Sequence, residues 1–253
     1  MPRTRRGRYA AGTFRPRHKH LILPVDHSDD ALVSAARRLR RLAQATHGAD
    51  WRIAATGSVT NAAGTILIER SDSGRNDQGY TLRIRPNTIC LRAAGDVGLH
   101  YGVTTLGQLL GSGRNAIRAL DIEDWPDFPV RGVLLDISRD KVPAMKSLKE
   151  LIDLLAGWKL NQLQLYTEHS FAYPGHETIW RGASPITARQ VEELDRYCRR
   201  RGVELVQNQN SFGHMERWLM HPKYAALAET RGGWKTPWGE RRTRPATLNP
   251  LDP

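Results

Sequence analysis

The second half of the chain alternates short apolar runs with amphipathic stretches. The runs have the length of buried strands and cover residues 131–137, 161–166 and 203–206. Between them, apolar residues recur at helical spacing over residues 144–158 and again after Thr187, where Thr187-x-x-Gln190 forms a capping box. Strands that alternate with helices predict a parallel sheet with right-handed crossovers.

The first half has a different pattern, in which strands and helices do not alternate one for one. We predict a strand at 21–25, a hairpin at 80–91 around Arg85-Pro86-Asn87, a helix that begins near Ser28-Asp29-Asp30 and ends at Gly48, and a second helix at about 99–110. These elements predict a small α+β domain.

Four segments follow from these patterns. We predict a disordered basic arm at residues 1–20, an accessory α+β domain at 21–120, a Pro-containing linker at 121–130, and a barrel segment at 131–253. A closed (β/α)8 barrel takes about 250 residues, and only about half of the chain follows the linker. The predicted fold class is therefore α/β: an accessory α+β domain followed by an incomplete TIM barrel with its first three βα steps.

The charge of the chain is strongly positive but unevenly distributed. The net charge is +12, and residues 1–20 contain seven Lys and Arg with no acid. A second basic stretch lies at 231–244, which leaves residues 21–230 close to neutral. We therefore expect no nucleic-acid partner, although binding of a polyanion by the basic arm stays open as an alternative. No apolar stretch has the length of a membrane span and no signal peptide is visible, so we expect no membrane partner and a cytoplasmic location.

Polar side chains gather directly after each of the three predicted barrel strands. They are Asp136 and Arg139 after the first strand, Glu168 and His169 after the second, and Asn208, Asn210 and His214 after the third. The carboxyl ends of barrel strands are where α/β barrels place their active sites, so these residues predict a pocket. The spacing of the histidines matches no zinc motif, and we predict neither a metal nor a cofactor.

Several motifs together resemble one known family. They are Gly95 to Leu110, Trp125-Pro126-Asp127-Phe128, Arg131-Gly132-Val133-Leu134-Leu135-Asp136-Ile137-Ser138-Arg139, Lys159-Leu160-Asn161 and Phe212-Gly213-His214. From about residue 95 to 224 the chain resembles glycoside hydrolase family 20, the β-N-acetylhexosaminidases. The resemblance implies a carbohydrate substrate and a substrate-assisted retaining mechanism, in which the 2-acetamido oxygen of the sugar attacks the anomeric carbon.

The resemblance also implies roles for single residues. Arg131 would bind sugar hydroxyls, and His214 would lie behind the catalytic acid. Glu168 would replace an Asp of the family's His-x-x-Asp-Asp run, and Asn208 and Asn210 stand where carboxylates are usual. Asp136 and His169 are further pocket candidates.

The catalytic pair of the family is an Asp-Glu dipeptide after the fourth strand, and no Asp-Glu dipeptide occurs in these 253 residues. We therefore name no catalytic residue. We expect an N-terminal portion of such a hydrolase, truncated before the catalytic pair and inactive alone. A non-catalytic carbohydrate-binding remnant is the alternative.

Overall fold

The computed structural model describes residues 4–16, 20–54, 64–71, 76–112, 115–139 and 141–251. The chain divides into two compact units, Met1–Pro129 and Val130–Pro253. Within the described residues, no helix combines the length and apolar character needed to cross a membrane.

In its described residues, the first unit is a mixed seven-stranded sheet with two helices. Its strands are β1 (Arg6–Phe14), β2 (Leu21–Pro24), β3 (Arg52–Ile53), β4 (Thr65–Arg70), β5 (Tyr80–Ile84), β6 (Thr88–Ala93) and β7 (Ile117–Asp124), and its helices are α1 (Asp30–His47) and α2 (Asp96–Leu110). The strand order is β1-β7-β5-β6-β4-β2-β3. Apolar side chains of both helices and of one sheet face share a single buried core.

Local sequence features begin and end these elements. Asp29 caps α1 by accepting hydrogen bonds from the backbone N–H groups of Ala31 and Leu32, at 2.9 and 3.2 Å. Gly48 ends α1 in the left-handed conformation, with φ of 63°, which glycine adopts without steric cost. The predicted hairpin is confirmed as the antiparallel pair β5–β6. Helix α2 begins at Asp96, three residues earlier than predicted.

The prediction of a disordered arm at residues 1–20 is wrong where the structure describes it, and residues 1–3 and 17–19 lie outside the described part. Strand β1 pairs antiparallel with β7, and the pairing places Arg6 opposite Glu123 and Arg8 opposite Asp121. The acidic strand neutralises part of the arm's charge, because opposite charges across a strand pair are favourable. Strand β7 also takes residues 121–124 of the predicted linker, so the first unit extends beyond the predicted domain at both ends.

The second unit begins with two βα steps and a third strand. Its elements are β8 (Gly132–Asp136), α3 (Met145–Gly157), β9 (Gln162–Thr167), α4 (Glu177–Trp180), α5 (Ala188–Arg199), β10 (Glu204–Gln209), α6 (Glu216–Leu219), and the short hairpin strands β11 (Trp234–Lys235) and β12 (Arg241–Arg242). Strands β8, β9 and β10 form a parallel sheet with β9 in the centre. The predicted capping box at Thr187 and Gln190 begins α5.

The two faces of this parallel sheet differ. Leu163 and Leu165 of β9 are fully buried in a core shared with α3 and α5. The alternate positions of β9, Gln162, Gln164 and Tyr166, point to the other face, because side chains alternate along a strand. In a closed barrel that second face would line the interior. The unit is thus the first part of a TIM barrel, as the sequence predicts.

Candidate functional site

The carboxylate of Glu168 is the centre of the polar cluster at the carboxyl ends of the strands. Glu168 follows β9 directly, and its side chain is only 15% exposed. Its Oε1 atom accepts a hydrogen bond from the Tyr166 hydroxyl at 2.9 Å. The Arg139 guanidinium lies 3.4 Å from the same oxygen and the His214 Nδ1 atom 3.6 Å from it. Three polar groups from three segments therefore converge on one carboxylate oxygen.

Tyr166 connects two of the strand ends. Its hydroxyl donates to Glu168 and accepts a hydrogen bond from the side-chain amide of Asn210 at 2.8 Å. Burial, opposed by this bond from Asn210, raises the pKa of Tyr166 above its ordinary value, so the hydroxyl keeps its proton at neutral pH. Tyr166 thus remains a donor to the carboxylate.

The turn after β8 presents Arg139 to this cluster. Asp136 Oδ1 accepts the backbone N–H groups of Ser138 and Arg139 at 2.9 and 3.2 Å, which fixes the turn. The second oxygen of Asp136 lies 3.2 Å from Arg139 Nε. Asp136 first and Glu168 next raise the pKa of Arg139. Asp136 therefore orients Arg139, whose side chain stays 59% exposed at the mouth of the cluster.

The backbone N–H and the backbone carbonyl of Glu168 are both hydrogen-bonded to side chains. Its N–H donates to Ser138 Oγ at 2.6 Å, and its carbonyl accepts the Trp218 indole N–H at 2.7 Å and the Gln209 amide at 3.2 Å. The ring of Trp218 packs edge-on against Tyr173, with the centroids 5.9 Å apart. These contacts hold the strand end in place while the carboxylate faces the cluster.

His169 follows Glu168 and is buried. It is 7% exposed, and its buried Nδ1 atom has no hydrogen-bond partner among the residues that the structure describes. Burial, with a smaller contribution from the Arg217 guanidinium, lowers the pKa of His169. His169 is therefore a neutral imidazole beside the Glu168 carboxylate.

The other predicted residues are divided between the two ends of the sheet. Asn208 lies on the same face as Tyr166, its partner in the strand register, and its amide donates to Gln164 at 3.4 Å. Asp136, Glu168, His169, Asn208 and His214 all lie at or beside the carboxyl ends of the strands. Arg131 does not.

Arg131 precedes β8 at the amino ends of the strands. Its Nη2 and Nε donate to the Lys159 carbonyl at 2.8 and 3.2 Å, and its backbone N–H donates to Asn161 at 2.7 Å. The prediction that Arg131 binds sugar hydroxyls does not fit this position. Arg139, at the other end of the same strand, is the arginine that faces the cluster.

Among the described residues, no group of three or more His, Cys, Asp and Glu side chains is arranged to hold a metal ion. Both cysteines are free thiols, Cys198 buried and Cys90 partly so. Burial raises the pKa of the Cys198 thiol to about 12, which keeps it protonated and unreactive.

An α+β domain followed by parallel strands with ionisable groups at their carboxyl ends is the plan of an α/β-barrel protein with an accessory domain. Two models of one family divide the chain between them: "Glycosyl hydrolase family 20, domain 2" matches residues 1–125, and "Glycosyl hydrolase family 20, catalytic domain" matches residues 128–253. The chain belongs to glycoside hydrolase family 20 and contains the N-terminal portion of its domain plan.

Individual relatives agree with this assignment. The chain is 28% identical over 180 residues to a "Beta-hexosaminidase" of Akkermansia muciniphila, covering 63% of this chain and 36% of that protein. It is 32% identical over 156 residues to "Beta-hexosaminidase subunit alpha" of Mus musculus, covering 56% and 29%. The chain thus spans about a third of the length of these relatives.

Solved structures show the same fold. The exo β-N-acetylglucosaminidase of Vibrio harveyi, in complex with N-acetylglucosamine, matches with a TM-score of 0.78 at 16% identity, over 98% of this chain and 41% of that one. The N-acetyl-β-hexosaminidase of Streptomyces plicatus matches with a TM-score of 0.77 at 21% identity, over 96% and 52%.

Proposed function

We propose that this chain carries the sugar-recognition part of a β-N-acetylhexosaminidase-like site and binds a terminal N-acetylhexosamine at the carboxyl ends of β8, β9 and β10. The observation that carries the proposal is the convergence of Arg139, Tyr166 and His214 on the Glu168 carboxylate. A half-buried carboxylate that accepts hydrogen bonds from Tyr166 and Arg139, beside the exposed remainder of that guanidinium, can recognise hydroxyl and amide groups of a sugar.

Arg139 is the residue that we assign to sugar hydroxyls, in place of Arg131. A guanidinium has five N–H donors in a planar fork. Asp136 and Glu168 engage one side of it, and the exposed remainder supplies donors to a ligand. The two carboxylates hold the side chain in one orientation, so less conformational freedom is lost when a sugar binds.

Glu168 and His214 form the second part of the proposal. The carboxylate faces Nδ1 of His214, which favours the tautomer with the proton on Nδ1. The Nε2 atom is then an acceptor for a further group. In the substrate-assisted mechanism that group would be the acid that protonates the leaving oxygen, and Glu168 would act as a positioning residue through the imidazole.

The acid itself has no counterpart here, since the sequence of 253 residues contains no Asp-Glu dipeptide. We therefore propose that the chain binds the sugar but does not hydrolyse a glycosidic bond by itself. The alternative, a non-catalytic carbohydrate-binding remnant, would bind the sugar in the same way but would have no role in hydrolysis.

The proposal is tested with a matched pair of variants, Arg139→Gln and Arg131→Gln. N-acetylglucosamine is titrated into each, and saturation transfer to its acetamido methyl is measured by NMR. Because a hydrogen bond to a charged group contributes about 1.5–3 kcal/mol, we expect Arg139→Gln to weaken binding at least about tenfold. Arg131→Gln, at the other end of the strand, is expected to keep wild-type affinity.

The thermal unfolding midpoint of each variant is the control for folding. Equal weakening by both substitutions in folded proteins, or no saturable binding by the wild-type chain, would contradict the proposal.

A further inference from the structure

We propose that the exposed face of the seven-stranded sheet in the first unit is a binding surface for an acidic polysaccharide, with Arg8 and Arg83 as its principal contacts. This surface lies in the accessory domain, and the proposal does not depend on sugar binding at the strand ends of the second unit.

The strand register aligns charged side chains in two rows across this face. One row is Arg8, Asp121, Arg83 and Cys90, and the next is Arg6, Glu123, Thr81 and Arg92. Residues opposite each other on paired strands share a face. The residues between the rows, such as Leu82 and Ile122, are buried in the core with the helices. The two rows therefore point away from the core.

The acids on this face are too few to neutralise its arginines. Arg6 pairs with Glu123 at 3.0 Å, and Arg92 pairs with Glu69. Asp121 is shared, since Arg85 donates to both of its oxygens at 2.9 Å while Arg83 Nε lies 3.2 Å from one of them.

Arg8 lies opposite Asp121 but makes no side-chain hydrogen bond or ion pair with any residue that the structure describes. The excess positive charge is therefore concentrated at Arg8 and Arg83. In total, five arginines share three carboxylates on this face: Arg6, Arg8, Arg83, Arg85 and Arg92, with Glu69, Asp121 and Glu123.

The shape of the surface fits a chain that passes across the strands. Arg6, Arg8, Arg83 and Arg92 line a shallow cavity of about 500 Å³. Arg8 and Arg83 are separated by two strand spacings, about 9.6 Å. Anionic groups spaced along a polymer can therefore contact both arginines at once, and the guanidinium fork suits sulfate and carboxylate groups.

The composition of the cavity favours a glycan over a nucleic acid. None of the residues that line it is aromatic. Proteins that bind single-stranded nucleic acids combine basic grooves with aromatic side chains on which the bases stack. A sulfated or uronate-containing glycan needs only the charged contacts, and the family of this chain acts on carbohydrates.

The test compares two double variants in the full chain. Arg8→Gln with Arg83→Gln removes two charges from the sheet face, and Arg85 keeps Asp121 paired. The control, Arg37→Gln with Arg41→Gln, removes two arginines of α1 that are also exposed. The probe is a fluorescent heparin octasaccharide, and fluorescence anisotropy gives its affinity at several salt concentrations.

We expect the sheet-face variant to bind the octasaccharide about tenfold more weakly than wild type, or about 1.4 kcal/mol, with a shallower dependence on salt. The α1 variant should keep wild-type affinity. Equal weakening by the two double variants would overturn the proposal, as would absence of binding near physiological salt. Tighter binding of a single-stranded oligothymidylate through the same two arginines would also overturn it.

Discussion

The Tyr166 hydroxyl is the closest hydrogen-bond donor to the Glu168 carboxylate, so Tyr166→Phe tests whether the polar cluster is built as described. The substitution removes the 2.9 Å bond to Glu168 and the acceptor of Asn210 but leaves the aromatic ring. Arg139 and His214, at 3.4 and 3.6 Å, remain as weaker contacts of the carboxylate. The loss therefore falls on the two hydrogen bonds of one hydroxyl group.

The expected cost follows from the burial of Glu168. A hydrogen bond to a charged group contributes about 1.5–3 kcal/mol when it is desolvated. Glu168 is 15% exposed and keeps its two other contacts, so we expect a loss of about 1–2 kcal/mol in the free energy of unfolding.

Tyr197→Phe is the matched control. The Tyr197 hydroxyl donates to Asp153 at 2.8 Å, but that carboxylate is 52% exposed on the outer helices. At an exposed carboxylate water replaces the lost donor, so we expect a smaller cost than at Glu168. The control therefore removes a bond of the same chemistry and similar length without the burial.

Urea unfolding followed by tryptophan fluorescence is a suitable assay, because five of the seven tryptophans lie in residues 130–253. The two units can unfold separately, so the transition of the second unit is fitted by itself. Equal costs for Tyr166→Phe and Tyr197→Phe would refute the conclusion that Tyr166 secures a buried carboxylate.

Two further predictions concern the accessory domain and pH. Asp29→Ala removes the cap of α1 together with the ion pair to Arg70 and should cost about 1–2 kcal/mol of unfolding free energy, whereas Asp29→Asn loses the ion pair but keeps an acceptor oxygen for the cap and should cost less; equal costs in thermal unfolding would show that the cap does not contribute. His169 has a lowered pKa in the folded state, so the unfolded state binds more protons as the pH falls through about 6.5. The stability of the second unit should therefore fall between pH 7.5 and 5.5, and His169→Phe should reduce that fall; an unchanged slope would contradict the assignment.

The features that the sequence predicted best are local ones. The capping box at Thr187 and Gln190, the helix end at Gly48 and the hairpin of β5 and β6 each depend on residues a few positions apart. The alternation of strands and helices after residue 130 predicted the parallel order of β8, β9 and β10. That alternation, with the length of chain left after the linker, predicted the fold class, and a family resemblance carried by motifs in both units agreed with it.

The errors come from pairings over long sequence distances. The basic arm was predicted to be disordered from its own composition, but strand β7, more than 100 residues later, provides its hydrogen bonds and its counter-charges. No local pattern contains that partner. The same pairing explains why the predicted linker begins four residues too early.

Arg131 and Arg139 stand at opposite ends of one predicted strand. In a parallel sheet, only the arginine after the strand lies at the carboxyl edge. The period of two along β9 could likewise have identified Tyr166, which shares a face with Gln162 and Gln164. Gln209 and Trp218 act through contacts with the Glu168 carbonyl that no sequence pattern predicts.

The central claim is that these residues recognise an N-acetylhexosamine but contain no acid that can release it. The most direct test is the release of phenol from an aryl N-acetyl-β-glucosaminide by the 253-residue chain, measured beside its Glu168→Gln variant. We predict no release above background by either protein. Release by the wild-type chain that disappears in Glu168→Gln would contradict the claim, because it would place a working acid within these residues.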